Sequence, residues 1–103
     1  MQTPKTMQLE ILTPEALIYR GIIDYIQMPG LDGYFGILEN HAPLISALGP
    51  GEITIDQATE ANATVEKLAD QSIAKKAQDK RFTMNVKGGI AEVVNNRIIV
   101  LVD

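Results

Sequence analysis

Cysteine and tryptophan are absent from the 103 residues, and histidine occurs once. Without thiols there is no disulfide framework, no thiolate metal ligand and no cysteine nucleophile. A metal site would rest on carboxylates and one imidazole, whereas such sites gather three or four convergent ligands, usually with a second histidine. No metal, no cofactor and no catalytic group is therefore expected. Positive charge is scarce too: 9 Lys and Arg stand against 13 Asp and Glu, for a net charge of -4. Residues 1–56 hold only Lys5 and Arg20 against seven acidic groups, while residues 57–81 carry five basic and four acidic ones. Phosphate backbones need a basic patch, so nucleic acid is not an expected partner. No apolar run approaches the ~20 residues of a membrane-spanning helix, and no direct membrane insertion is expected. The polar stretch Met1–Gln8 reads as neither signal nor transit peptide.

What is present is mostly strand. The length suits one domain, residues 1–103, able to bury about 65% of its unfolded surface. Ile53 and Ile55 alternate with Glu52, Thr54 and Asp56, and Phe82, Met84 and Val86 alternate with Thr83 and Asn85. Leu9 and Ile11 repeat the pattern between Gln8 and Glu10. Period two of this kind marks strands with one dry face and one wet face. Ile53/Ile55 and Phe82/Met84 read as hairpin partners.

Two stretches are apolar at both parities, Leu17 to Met28 and Ile98 to Val102. Such a strand is either central in a closed sandwich or has one face against another protein. Gly21 is a candidate bulge that swaps the parity of the first. Pro29-Gly30, Asp32-Gly33, Pro50-Gly51, Gly88-Gly89 and Asn95-Asn96 supply closely spaced turns. The expected fold is all-β, an antiparallel β-sandwich of Greek-key type.

One segment departs from this. Gln57 to Lys80 has neither glycine nor proline, and Val65, Leu68, Ala69, Ile73 and Ala77 fall on one helical stripe. The spacing predicts one α-helix of roughly four turns over about Thr64 to Gln78, inserted between two strands in a segment spanning about 58–79. Its few large apolar residues suit a surface appendage rather than a core element.

The chemistry-bearing candidates cluster in "GYFGILENHAPL", Gly33 to Leu44. His41 has no second histidine to share a metal, and Ser46 sits in nothing like a nucleophile elbow. On the residues alone it is a corner histidine packed on Ala42-Pro43-Leu44. "GLDGYFG" has the spacing G-x-x-G-x-x-G, neither a Walker loop nor a dinucleotide fingerprint, and no helix follows to hold an anion. Glu10, Glu15, Asp24 and Glu39 have no spacing that pairs two of them for glycosidic chemistry. Tyr19, Tyr25, Tyr34 and Phe35 leave open a ligand-binding face on a free-standing sandwich.

Three blocks in order then resemble one family: "LEILTPEALIYRG" (Leu9 to Gly21), "MPGLDGYFGILENHAPLISALGPGEITI" (Met28 to Ile55) and "VKGGIAEVVNNRIIVLVD" (Val86 to Asp103). They cover about three quarters of the chain and look like the N-terminal domain of the epsilon subunit of the F-type ATP synthase. The resemblance implies a sandwich of about ten strands, here with the inserted helix, in a non-catalytic rotor subunit of the central stalk. Its partners would be the gamma subunit and the c-ring, coupling ion flow to rotation and ATP synthesis. Thr13, His41 and Ser46 would face gamma, and Leu31, Asp32 and Tyr34 would face the c-ring. The location implied is peripheral, on the cytoplasmic face of a bacterial cell membrane. Many family members continue into a pair of C-terminal helices that inhibit hydrolysis and in some bind ATP. The matching blocks stop at the sandwich, so no nucleotide binding is expected of this chain. The 58–79 insert is longer than the family's usual connection.

Overall fold

The computed structural model describes residues 6–58 and 78–103. Eight strands form among them: β1 (Met7–Leu12), β2 (Leu17–Gly30), β3 (Gly33–Ile37), β4 (Leu44–Leu48), β5 (Gly51–Gln57), β6 (Arg81–Val86), β7 (Gly89–Val94) and β8 (Arg97–Val102). The helix expected within about 58–79 falls almost wholly outside the described residues.

The strands make one hydrogen-bonded path, β1-β8-β7-β4-β2-β5-β6, with β3 on β2 and β1 also on β2. The path folds over as a sandwich because β2 serves two layers. Its first half, Leu17 to Ile23, pairs with β1; its second half, Ile26 to Gly30, pairs with β3 and, at Ile26 and Gln27, with β5. Fourteen continuous residues thus do the work of two shorter strands, and eight strands are described where about ten are expected.

This crossing explains the two-parity apolar pattern of β2. Tyr19 and Ile23 are buried in its first half, Ile26 and Met28 in its second. The side-chain period of a strand is two, so the change from odd to even needs an extra residue. The register against β5 slips between Ile23 and Tyr25, at Asp24. Gly21, the expected bulge, instead pairs regularly with Leu9. The bulge sits where the strand changes layers, and glycine is not required there because Asp24 does not adopt a positive φ; Lys80 Nζ donates to its Oδ2 at 2.9 Å.

β5 and β6 pair as their alternation predicts, with Ile53 opposite Met84 and Ile55 opposite Phe82. The β7–β8 hairpin turns through Asn95 and Asn96, both at positive φ (51° and 61°), the backbone that two-residue hairpins favour and asparagine tolerates. One pairing is not antiparallel. β1 runs parallel to β8, Gln8 to Leu12 against Arg97 to Leu101. First and last strands share no turn, so nothing local fixes their direction.

The two layers bury one common core. Leu9, Ile11, Ala91, Val93, Ile98 and Val100 from one side meet Ile26, Met28, Ile37, Ile53, Ile55 and Phe82 from the other.

Candidate docking surfaces

Turns and strand ends set the sequence-derived candidates at different corners. Thr13 follows β1, where its hydroxyl oxygen accepts from the amides of Ala16 (3.1 Å) and Glu15 (3.3 Å) and closes the β1–β2 turn. His41 precedes β4 and is exposed; its Nδ1–H donates to the Ala42 carbonyl at 2.7 Å. The corner is tied to the β7–β8 turn, since Asn40 N donates to Asn96 Oδ1 at 2.5 Å and Asn96 Nδ2 to Asn40 Oδ1 at 3.3 Å. Registers β1–β8, β8–β7 and β7–β4 carry the Thr13 end to Leu48 and the His41 end to Asn96. Thr13 and His41 therefore lie at opposite ends of one layer, roughly five residues of strand apart, about 17 Å.

Ser46 joins neither. Its neighbours Ile45 and Ala47 face out, whereas Ser46 is half-buried opposite the fully buried Ala91. Together with its neighbours Ile45 and Ala47, it lines a hollow of about 480 Å³ shared with Leu31, Asp32 and Tyr34 at the β2–β3 turn. The structure thus brings Leu31, Asp32 and Tyr34 together as one patch and adds Ser46 to it.

Between the Thr13 and His41 ends lies a surface that the sequence reading did not single out. Ile45 of β4 is 72% exposed, Ile90 of β7 51% and Leu101 of β8 52%. Ile90 is directly opposite both Ala47 and Leu101, and Ile45, opposite Glu92, is two pairs further along on the same face. Three large aliphatics in neighbouring strands on one outer face form an apolar patch, which water-facing sheets normally avoid. A signal existed: β8 is apolar at both parities, and so is β4, whose Leu44-Ile45-Ser46-Ala47-Leu48 has no charged position. β7 hid its share, because Glu92 on the same outer face makes it read as half-wet.

The tyrosines do not share a surface. Tyr19 is fully buried, its hydroxyl donating to Gln57 Oε1 at 2.7 Å and its ring tilted 52° against Phe82 at 5.4 Å between centroids. Burial pushes its phenol well above the ordinary range, so it stays neutral. Tyr25 is half-buried and donates to Gln27 Oε1 at 3.2 Å. Only Tyr34 presents a largely exposed ring. A ligand face built from Tyr19, Tyr25 and Tyr34 is excluded. Among the described residues, no three His, Asp or Glu side chains converge as a metal site would require.

Residues 6–69 match the family model described as ATP synthase, Delta/Epsilon chain, beta-sandwich domain. An ATP synthase epsilon chain of Desulforamulus reducens is 37% identical over 96% of this chain, and one of Leptospira interrogans 33% identical over 94%. The chain spans 60% and 61% of the length of those two relatives. Among solved structures, a chain of the Euglena gracilis mitochondrial ATP synthase (OSCP/F1/c-ring) superposes with a TM-score of 0.73 at 15% identity, covering 99% of this chain and 53% of its own. A chain of the central stalk/c-ring of the Tetrahymena thermophila enzyme gives 0.65 at 17%, covering 99% and 66%. The same sandwich thus persists where little sequence is shared.

Proposed function

Since the chain belongs to the ATP synthase delta/epsilon family by its β-sandwich domain, we propose that it is a non-catalytic subunit of the central stalk, fixed to the rotor between a gamma subunit and a c-ring. The observation that carries this reading is the exposed apolar patch of Ile45, Ile90 and Leu101. A permanent contact wants apolar surface with a few oriented polar groups at its rim. Thr13 and His41 stand at the two ends of that patch and would face gamma with it. The Leu31–Asp32–Tyr34 turn, with Ser46 behind it, would face the c-ring, which moves Ser46 from the gamma side. The complex would hold the chain on the membrane's cytoplasmic face without insertion.

The mechanism is mechanical. A closed sandwich cannot shear without breaking many backbone hydrogen bonds at once, so it transmits torque where a loop would bend. Coupling of ion flow to rotation and synthesis would use this stiffness, while the chemistry occurs in other subunits.

Co-purification with gamma tests the reading. The wild-type chain is expected to be retained. Ile90→Asp or Leu101→Asp is expected to abolish retention while leaving the thermal midpoint of the free chain within a few degrees, because both side chains are already in water. His41→Ala, at the rim, is expected to weaken binding by about 1–2 kcal/mol. Full retention of Ile90→Asp and Leu101→Asp would refute the docking face.

A further inference from the structure

We infer that Tyr34 is a positioning residue: its phenol is a strut that crosses Pro29 and fixes the Leu31–Asp32 turn, so that a partner reads the apex of the turn and not the tyrosine hydroxyl. Tyr34 of β3 lies directly opposite Pro29 of β2. On the other side of β2, the pairing with β5 ends at Gln27 opposite Thr54. Continued by two pairs, that register would set Glu52 opposite Pro29. There the ladder fails, because the Pro29 carbonyl already accepts from Gly49 N at 2.8 Å. The Glu52 amide donates instead to the Tyr34 hydroxyl at 3.1 Å. One side chain therefore ties β3 to β5 across β2.

Space for the crossing comes from Gly51. A β-carbon there would lie 2.6 Å from Tyr34 Oη and 2.8 Å from Pro29 Cβ. Both distances are far inside van der Waals contact, so any side chain at 51 would push the strut away. The hydroxyl is engaged by the Glu52 amide while Tyr34 as a whole stays 56% exposed and Leu31 stands 70% exposed beside it. What the turn offers a partner is Leu31, the Asp32 carboxylate and the face of an immobilised ring. A turn fixed before binding loses less entropy on docking than a loose one.

The inference rests on the rotor reading only in naming the c-ring as partner, and the test separates the two. Amide hydrogen exchange on the 103-residue chain carrying Tyr34→Phe reads the strut without any partner. Amides of Gly33–Phe35 and Glu52 are expected to exchange about five-fold faster, as the loss of one ordinary hydrogen bond implies, with those of β7 and β8 unchanged. Gly51→Ala, which leaves the exposed apex untouched, is expected to do the same and to lower retention by purified c-ring as Tyr34→Phe does. Unchanged exchange in folded Tyr34→Phe overturns the strut. Reduced retention of Tyr34→Phe with unchanged exchange overturns it too, since the hydroxyl then touches the partner. If the wild-type chain is not retained by the c-ring, the rotor reading fails at this turn and the exchange data still decide the strut.

Discussion

Gln57 is the one polar side chain buried among the described residues, and it is held through both its side chain and its backbone. Its carbonyl oxygen accepts from Tyr19 Oη at 2.7 Å, and its amide donates to the Asp79 carbonyl at 2.7 Å. Its backbone N–H donates to the Lys80 carbonyl at 2.7 Å, and its backbone carbonyl accepts from Lys80 Nζ at 2.7 Å. The group closes the base of the β5–β6 connection whatever lies beyond it. Gln57→Leu is expected to cost about 2–3 kcal/mol, mostly from stranding the Tyr19 hydroxyl in the core. Adding Tyr19→Phe is expected to return part of that loss, measurable as a smaller shift in the urea midpoint for the double variant. A double variant less stable than Gln57→Leu alone would show that the pair is not the source. At this scale the sequence was only half legible. His41 reads as a corner histidine packed on Ala42-Pro43-Leu44, whereas it stands exposed at that corner with one local bond, from Nδ1–H to the Ala42 carbonyl. Tyr19 and Tyr34 look alike in sequence, yet one is core and one is surface: Tyr19 lies on the inward parity of the first half of β2, whereas Tyr34 lies on the outer parity of β3, whose inward residues are Phe35 and Ile37.

Among elements, β5 and β6 were the most legible pair. Strict alternation on both strands leaves only one register that buries every apolar side chain, and the intervening residues do not enter it. β2 was the least legible, because a strand that changes layers looks from sequence like a strand with two dry faces. The β5–β6 pair also carries a pH signature. At the end next to the β5–β6 connection, Arg81 Nε and Nη2 donate to the two oxygens of Asp56 at 2.6 and 2.8 Å. The hydrogen bond from Arg81 holds the Asp56 carboxyl below its ordinary range; partial burial opposes it, and the charges of Arg81 and Lys80 add to it. A carboxyl whose folded pKa is depressed contributes stability above its unfolded value, about 3.9, and loses it as pH falls through the lower folded value. The gap in thermal midpoint between wild type and Arg81→Gln is therefore expected to be constant from pH 7 to 5 and to close below about pH 4. A gap that persists at pH 2 would mean that Arg81 acts through packing alone.

For the whole molecule, β-rich composition and closely spaced turns are enough to indicate a sandwich, but not how it closes. Hairpins are written in their turns, whereas the pairing of β1 with β8 joins residues some ninety positions apart and leaves no local trace. That closure has a consequence for load. Parallel neighbours begin at the same end, so Met7 and Val102 emerge at opposite ends of adjacent strands. A force that pulls those two residues apart slides β1 along β8, loading all their hydrogen bonds together. A force that separates Gln57 from Lys80 opens β5 from β6 one pair at a time. With no native cysteine, thiol handles can be placed without competition at 7 and 102, and at 58 and 79, beside the Gln57 side chain and not in its place. Single-molecule extension from 7 and 102 is expected to need the larger rupture force, and equal forces would refute the shear geometry. The strand pair that closes the fold is then also its strongest direction, and the molecule is stiff along one axis and peelable along another.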